Sequence, residues 1–357
     1  MSSVSGVVAA DLFVAASWAS SQSCVIVGSS STFQGIILSS SNKGSTWNMT
    51  VFTGMVIFTD VASRSISSSG TPYTVAVGRN VSDFGASYVS TNGGSSWTYV
   101  SSSNLLNGVT VGSNGNVFAV SISDGIFKLN TLTLQWNSIG NSSISNAISS
   151  TQNLNDVSSF DGIVVIAVGN NGQILVSSDG GNTWKNPASG TSKNLHSVSC
   201  GGVSHAMAAG DNGVVLRTSN GGATWTMVTT TGIPTTTSLS YNNIYMLDNA
   251  LVFLATGNLG SILYSVNGGN TWATETTLAS SILNTIAMLT TDEGVSADSN
   301  NGVILLKLPL PSAMPTSQPT SQPSHRPTQQ PFSRPSGHPS SQPSRQPSMR
   351  PTAQPSR

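Results

Sequence analysis

One eight-residue motif recurs along the chain and limits its fold more than any other feature. The motif reads Ser-x-(Asn/Asp)-x-Gly-x-(Thr/Ser)-Trp, and its copies lie at 40–47, 90–97, 177–184 and 265–272, with a Thr-initiated copy at 218–225 and a degenerate copy ending at Trp136. The tryptophans are 50, 39, 48, 41 and 47 residues apart. This period fits the four strands of one β-propeller blade.

Two apolar runs precede each copy of the motif. The first run ends in Gly, as in Cys24–Gly28 and Val164–Gly169, and the second leads into the motif, as in Ile36–Leu38 and Ile174–Val176. Short continuous apolar runs indicate strands buried on both faces, as the two inner strands of a propeller blade are. Seven such pairs can be counted along the chain.

The sequence therefore predicts an all-β fold, a β-propeller of seven four-stranded blades over residues 1–308. The last unit lacks an outer strand, which Val4–Ala9 could supply so that the ring leaves no unpaired edge. From Pro311 to Pro355 a proline recurs at every fourth position, which prevents helix and sheet and favours polyproline II. Residues 309–357 are predicted to be a disordered Pro/Ser/Thr-rich tail.

Charge and composition exclude several classes of partner. Residues 1–308 carry eight Lys/Arg against thirteen Asp/Glu, and the tail carries five well-spaced Arg, so neither nucleic acid nor a membrane surface is expected as a partner. The chain contains no run of eighteen apolar residues, so no membrane span is predicted. Two cysteines cannot form a disulfide scaffold. We expect Cys24 and Cys200 to be buried thiols, with a bridge between them as the alternative.

The surface composition favours an extracellular or cell-surface location. Only 7% of the residues are charged, against about 25% in a typical soluble domain, and Ser, Thr, Asn and Gly take their place. Sequons begin at Asn48, Asn80 and Asn141. The first residues do not form a signal peptide, and we expect the natural chain to extend further.

The residue types of the motif indicate a structural role. The third residue can accept backbone N–H groups within a turn, the glycines supply positive φ, and the Trp can bury a large ring. The residues assigned to this role are Asn42, Trp47, Asn92, Trp97, Asp179, Trp184, Asn220, Trp225, Asn267 and Trp272. We expect Trp97, Trp184, Trp225 and Trp272 to be buried between blades.

Polar residues gather in the loops between the two apolar strands of each repeat. These loops are predicted to emerge opposite the motifs, around the central channel, where a ring of carboxylates and amides could hold a cation or a polar ligand. Pairs such as Asn171-Gly172 also fit plain type I′ hairpins. The candidate binding residues are Arg79, Asp83, Asp124, Asn171, Asp211, Asn258 and Asp298.

The sequence offers little for catalysis. Sialidases need three arginines and a Tyr–Glu pair, whereas residues 1–308 hold only Arg64, Arg79 and Arg217, the last in a strand away from the channel loops. His196 and His205 have no carboxylate or Cys at ligand spacing. Aspartates in tight turns accept backbone N–H groups, which lower the carboxyl pKa and disfavour a general acid. We predict no catalytic residue, metal or cofactor.

The octets resemble the Asp-box, or BNR, repeat. The longer pattern Leu154–Val157, Ile166–Gly169 and Asn171–Leu175, followed by an octet, resembles the photosystem II stability/assembly factor family of cyanobacteria and plastids over residues 8–307. That family repeats Ile-Leu-Arg-Thr before its boxes, and Leu216-Arg217-Thr218 is the match here. The resemblance implies a non-catalytic seven-bladed propeller that docks onto a newly made photosystem II reaction-centre subunit, and it makes the thylakoid lumen the alternative location.

Two functions follow as expectations. The first is a monomeric, non-catalytic scaffold that binds a protein partner, in the manner of the photosystem II assembly factors. The alternative is a secreted cell-surface or cell-wall propeller that binds carbohydrate and is carried on a glycosylated Pro/Ser/Thr stalk.

Overall fold

The computed structural model describes most of the repeat region. The described residues are 12–52, 54–66, 72–80, 85–122, 125–139, 153–229, 233, 239–256, 261–276, 282–290, 293–298 and 302–307. The predicted closing strand Val4–Ala9 and the proline-rich residues 309–357 lie outside them. No helix in these ranges is long and apolar enough to span a membrane.

The described strands form seven antiparallel sheets, numbered here in chain order, of which five have four strands. Sheets 1 to 3 contain β1 (Leu12–Trp18), β2 (Cys24–Ser29), β3 (Gly35–Ser40) and β4 (Asn48–Phe52); β5 (Val56–Ser65), β6 (Pro72–Asn80), β7 (Gly85–Ser90) and β8 (Thr98–Ser102); and β9 (Leu106–Val111), β10 (Val117–Ser121), β11 (Gly125–Asn130) and β12 (Gln135–Ser138).

Sheets 4 and 7 have three strands within the described residues. Sheets 4 to 7 contain β13 (Leu154–Ser159), β14 (Val165–Gly169) and β15 (Ile174–Ser177); β16 (Leu195–Cys200), β17 (Ala206–Gly210), β18 (Val215–Thr218) and β19 (Thr226–Met227); β20 (Tyr241–Met246), β21 (Val252–Thr256), β22 (Ser261–Ser265) and β23 (Ala273–Thr276); and β24 (Leu283–Met288), β25 (Glu293–Asp298) and β26 (Gly302–Lys307). In sheet 4 only Lys185 continues the pairing, as a bridge to Val176.

Neighbouring sheets are joined through their first strands. The first strand of each sheet contacts the first strand of the next, and β24 contacts β1. Apolar clusters fill the spaces between neighbouring sheets; one of them joins Phe13 and Leu38 of sheet 1 to Ala287 and Val295 of sheet 7. The fold is therefore an all-β propeller.

The apolar pairs seen in the sequence are the second and third strands of each sheet, not the two innermost as predicted. The innermost strand precedes them, and it mixes polar with apolar residues, as in β16, where His196 and Ser199 are only partly buried. Because adjacent strands are antiparallel, the octets and the first-to-second connections share one end of the sheets, here called the box face. The second-to-third connections emerge on the opposite loop face, as predicted.

Each first strand carries a β-bulge at the same place, and the bulged side chains tie the sheets together. The bulged residues are Val14, Thr59, Asn107, Asn155, His196, Asn242 and Asn284. Five of them donate a hydrogen bond to a main-chain carbonyl in the first strand of the next sheet. The bond from Asn284 Nδ2 to Phe13 O, 2.9 Å, joins sheet 7 to sheet 1.

The residue after the bulge alternates in character around the ring. Sheets 2, 4 and 6 carry Asp60, Asp156 and Asn243, whereas sheets 1, 3, 5 and 7 carry the smaller Ala15, Gly108, Ser197 and Thr285. Each larger side chain accepts a backbone N–H from the following sheet: Val109 to Asp60 at 2.7 Å, Val198 to Asp156 at 2.9 Å and Ile286 to Asn243 at 3.1 Å. These bonds add a second set of ties across three of the interfaces.

The five complete octets share one hydrogen-bond pattern. The first hydroxyl accepts the N–H of the fifth-position glycine, and the Asn or Asp Oδ1 accepts the N–H of the seventh residue, all within 2.8–3.0 Å. Gly181 has φ of 88°, and a Cβ added there would lie 2.8 Å from Ile139 Cδ1 and 2.9 Å from Phe118 Cε1. That glycine serves both the turn and the contact with sheet 3.

Three of the four tryptophans are buried as predicted. Trp184, Trp225 and Trp272 are 6–8% exposed, and Trp184 packs against Phe118 of sheet 3 and Leu175 of its own sheet. The prediction for Trp97 was wrong, because it is only partly buried. The preceding sheet presents the small Ser39 beside Gly94 of that box, so the indole has less apolar cover.

Trp184→Ala should lower the free energy of unfolding by roughly 3–5 kcal/mol, because it leaves a cavity between sheets 3 and 4. Urea denaturation of the purified protein measures the change. Leu132→Ala is the control, since Leu132 is 95% exposed and its truncation should cost less than about 0.5 kcal/mol. A loss below about 1 kcal/mol for Trp184→Ala would contradict the packing described here.

Stability should fall as the pH rises from about 5 to 8. Burial and the nearby Asp156 charge raise the pKa of Asp60 to about 8, and burial raises the pKa of Asp156 to about 6. Carboxyls whose pKa is raised by folding stabilise the fold below their unfolded pKa of about 4 and lose that contribution as the pH passes the folded value. Urea unfolding measured at each pH tests this expectation.

Asp60→Asn should flatten that decline, because it removes one of the two buried carboxyls and the negative charge that faces the other. Asp179→Asn is the control. Its carboxyl lies in a box, where hydrogen bonds led by those from Thr183 lower the pKa to about 2, so this variant should keep the wild-type slope between pH 5 and 8. A wild-type stability that is constant across that range would contradict the expectation.

Candidate functional site

Three of the seven predicted binding residues have described side chains: Arg79, Asn171 and Asp211. Asp83, Asp124 and Asn258 lie outside the described residues, and only the backbone of Asp298 is described, at the end of β25. Arg79 and Asn171 are exposed, whereas Asp211 is partly buried. All three lie at the loop face.

The turns that hold Asn171 and Asp211 have the conformation predicted from their glycines. Asn171 and Gly172 have φ of 57° and 71°, and Asn212 and Gly213 have φ of 59° and 71°. Two consecutive positive φ values are the mark of a type I′ hairpin. These turns connect the second and third strands of sheets 4 and 5.

A chain of hydrogen bonds joins the two turns. The Asn171 N–H donates to Asn194 Oδ1 at 3.0 Å, and Asn194 Nδ2 donates to Asp211 Oδ2 at 3.0 Å. The other carboxylate oxygen of Asp211 lies 2.7 Å from His196 Nε2 and accepts from Ser240 Oγ at 3.2 Å. We call Asn194, His196, Asp211 and Ser240 the Asp211 cluster; it spans sheets 5 and 6 and touches sheet 4 through Asn171.

The electrostatics of the cluster favour a fixed negative charge. Burial alone would raise the pKa of Asp211, but the hydrogen bond and charge of His196, with the bonds from Ser240 and Asn194, more than offset it, so the pKa is lowered. The lowered pKa was predicted, although the donors are side chains and not the backbone N–H groups expected. Ser240 donates to the carboxylate and not to His196, so the arrangement does not activate the hydroxyl as a nucleophile.

Sequence reasoning missed His196 and Asn194. His196 occupies the bulge position of β16, where five other sheets place Asn or Thr, and it turns to Asp211 of its own sheet. It was set aside because no carboxylate lies at ligand spacing, yet Asp211 is fifteen residues away and across a strand pair. Aligning the bulge positions of the seven repeats would have singled it out.

The three arginines of the propeller do not converge. Arg64 is at the box-face end of sheet 2, where its Nη1 donates to Phe160 O and its guanidinium lies 5.2 Å from the centre of the Phe160 ring. Arg79 is at the loop-face end of the same sheet. Arg217, in β18, donates from Nη1 to Gly268 O and Asn270 Oδ1, which ties sheet 5 to the box of sheet 6.

Other chemistry-bearing groups are dispersed. Cys24 and Cys200 are free and buried, and burial raises the pKa of each thiol to about 12. Within the described part of the chain, no three His, Cys, Asp or Glu side chains come together as metal ligands. The Asp211 cluster is therefore the principal polar site that the structure assembles from the predicted residues.

Comparison with known proteins points to one family. The family model described as photosynthesis system II assembly factor YCF48 matches residues 136–300, a range that contains three of the five complete octets. A search of the curated proteins finds no significant match.

Solved structures share the fold at low sequence identity. YCF48 bound to D1 peptide aligns with a TM-score of 0.62 at 14% identity, covering 84% of this chain and 94% of that one. YCF48 from Cyanidioschyzon merolae aligns with a TM-score of 0.63 at 19% identity, covering 84% and 96%. Virginiamycin B lyase from Staphylococcus aureus aligns with a TM-score of 0.63 at 10% identity, covering 84% and 96%.

Such different proteins show that the fold alone does not decide the function. The family model adds what the fold cannot, because it matches the sequence of the repeats themselves. The chain is thus an Asp-box β-propeller that resembles the photosystem II assembly factors.

Proposed function

We propose that this chain is a non-catalytic, monomeric propeller that binds a protein partner, and that the partner is a photosystem II reaction-centre subunit. The observation that carries the proposal is the match of residues 136–300 to the photosystem II assembly factor model. The likeness to YCF48 bound to D1 peptide supports a peptide segment of that subunit as the ligand.

The loop face is the proposed contact surface. Its Asp211 cluster offers the Asp211 carboxylate and the Asn194 amide, both only partly buried, and Arg79 adds an exposed positive charge. Such groups can pair with the backbone and polar side chains of an extended peptide. The ties between sheets hold them in place, so binding needs little ordering of the site.

We also infer that each of the seven sheets is one propeller blade. The contact of β24 with β1 and the bond from Asn284 to Phe13 support a ring that closes directly between the last and first sheets. A crystal structure that placed any of the seven sheets outside the ring would overturn this inference.

Isothermal titration of the full chain with peptides from the D1 subunit tests the proposed partner. Saturable binding is expected, and Asp211→Asn and Arg79→Gln should each weaken it by roughly tenfold, because each removes a charged hydrogen-bonding group. Lys185→Gln removes an exposed charge in sheet 4 and should leave affinity unchanged. Glycan binding without any peptide binding would instead favour the carbohydrate-binding alternative.

The location is proposed on separate grounds. The surface composition supports an extracellular or cell-surface site, whereas a photosystem II partner requires the thylakoid lumen. Fractionation of the native cells with an antibody against the propeller would separate the two.

No hydrolysis of sialosides or β-glucans is expected from the purified propeller. The lowered pKa of Asp211 is unsuited to a general acid, and Arg64, Arg79 and Arg217 are too dispersed to hold one substrate carboxylate. Incubation with a panel of both substrate classes, followed by chromatography of the products, measures this. Turnover that disappears in Asp211→Asn would show the loop face to be catalytic.

A further inference from the structure

A second polar pocket lies on the box face, between sheets 5 and 6. Its volume is about 260 Å³, and its lining includes Arg217, His205 and Asn249 above the methionines Met207 and Met246. It belongs to the opposite end of the sheets from the Asp211 cluster.

Arg217 in this pocket has unused hydrogen-bonding capacity. A guanidinium carries five N–H donors, and the two on Nη1 are taken by Gly268 O at 3.0 Å and Asn270 Oδ1 at 2.8 Å. Among the described residues, none accepts from Nε or Nη2. Arg217 also has no carboxylate partner there, because the ion pairs join Lys43 to Glu293 and His196 to Asp211.

A partly buried cation without a counter-ion is costly unless an anion or water completes its bonding. Arg217 is partly buried, and its Nη1 bonds fix the plane of the guanidinium. The free Nε–H and Nη2–H edge of a guanidinium matches the two oxygens of a carboxylate. The Nη1 bonds therefore hold the guanidinium of Arg217 in place, while its Nε–H and Nη2–H groups are left to bind a ligand in the pocket.

The rest of the lining suits the same ligand. His205 Nδ1 lies 2.9 Å from Ser204 Oγ. When Nδ1 accepts a hydrogen bond from that hydroxyl, the neutral ring carries its N–H on Nε2, which can then donate a hydrogen bond to a ligand. Met207 and Met246 are 1% and 6% exposed and supply an apolar, adaptable floor. A small volume with one cationic side and one apolar side fits a single residue-sized group.

We propose that this pocket binds a carboxylate attached to an apolar group, as at the C-terminus of a polypeptide that ends in an aliphatic residue. The guanidinium of Arg217 pairs with the carboxylate, and the aliphatic group rests on the methionines. The site is separate from the loop face, so this proposal can be tested independently of the partner proposed there.

Titration of the ¹⁵N-labelled full chain with N-acetyl-leucine, followed by NMR, tests the site. Saturable shifts are expected for the His205 ring and the Arg217 side chain, whereas N-acetyl-leucinamide, which lacks the carboxylate, should cause none. N-acetyl-aspartic acid α-amide tests a side-chain carboxylate as the alternative source. Equal shifts with the acid and the amide of leucine, or no saturable shift, would overturn the proposal.

Two variants separate binding from folding. Arg217→Gln should weaken the N-acetyl-leucine affinity by roughly tenfold or more, with thermal unfolding recorded because the ties to sheet 6 are lost. Asn249→Asp leaves those ties intact, puts a negative charge at the exposed rim, and should weaken binding by a similar factor. Lys185→Gln, which removes an exposed positive charge from sheet 4, is the charge control and should have no effect. Unchanged affinity in both pocket variants would refute the assignment.

Discussion

The hydrogen bond from a bulged side chain in one sheet to a carbonyl in the next is the contact on which the ring depends. Apolar packing between sheets is non-directional and would tolerate small rotations of one sheet against another. The bonds from Thr59, Asn107, Asn155, Asn242 and Asn284 are directional, and they lie in the innermost strands, where a small rotation displaces the outer strands most. These bonds fix the orientation of each sheet relative to the next, and they thereby set the positions of the residues in both polar sites.

The parts predicted well from sequence are those whose cause is local. The Asp-box turn needs only a hydroxyl, an Asn or Asp, and a glycine within eight residues, and all five complete copies form it. The alternation of apolar runs and turns likewise located the second and third strands. Trp97 differs because its burial depends on Ser39 of the preceding sheet, which no pattern within its own repeat reveals.

The parts missed depend on register between distant segments. Asp60 meets the N–H of Val109, 49 residues away, only because the two bulges stand side by side across an interface. His196 and Asp211 pair because the bulge turns one side chain toward the loop that closes its own sheet. Arg217 was correctly placed in a strand leading to a box, yet its pocket requires His205 and the next sheet. None of these contacts between distant residues could be predicted from composition.

The alternation of large and small residues after the bulges runs through the seven described sheets in chain order. Thr285 of sheet 7 and Ala15 of sheet 1 are both small, so the join between the chain's first and last sheets breaks the pattern. Because each larger side chain bonds to the sheet that follows it, sheets 2 and 3, 4 and 5, and 6 and 7 are tied as pairs. A redesigned propeller with more or fewer sheets would therefore keep these bonds only if it added or removed whole pairs.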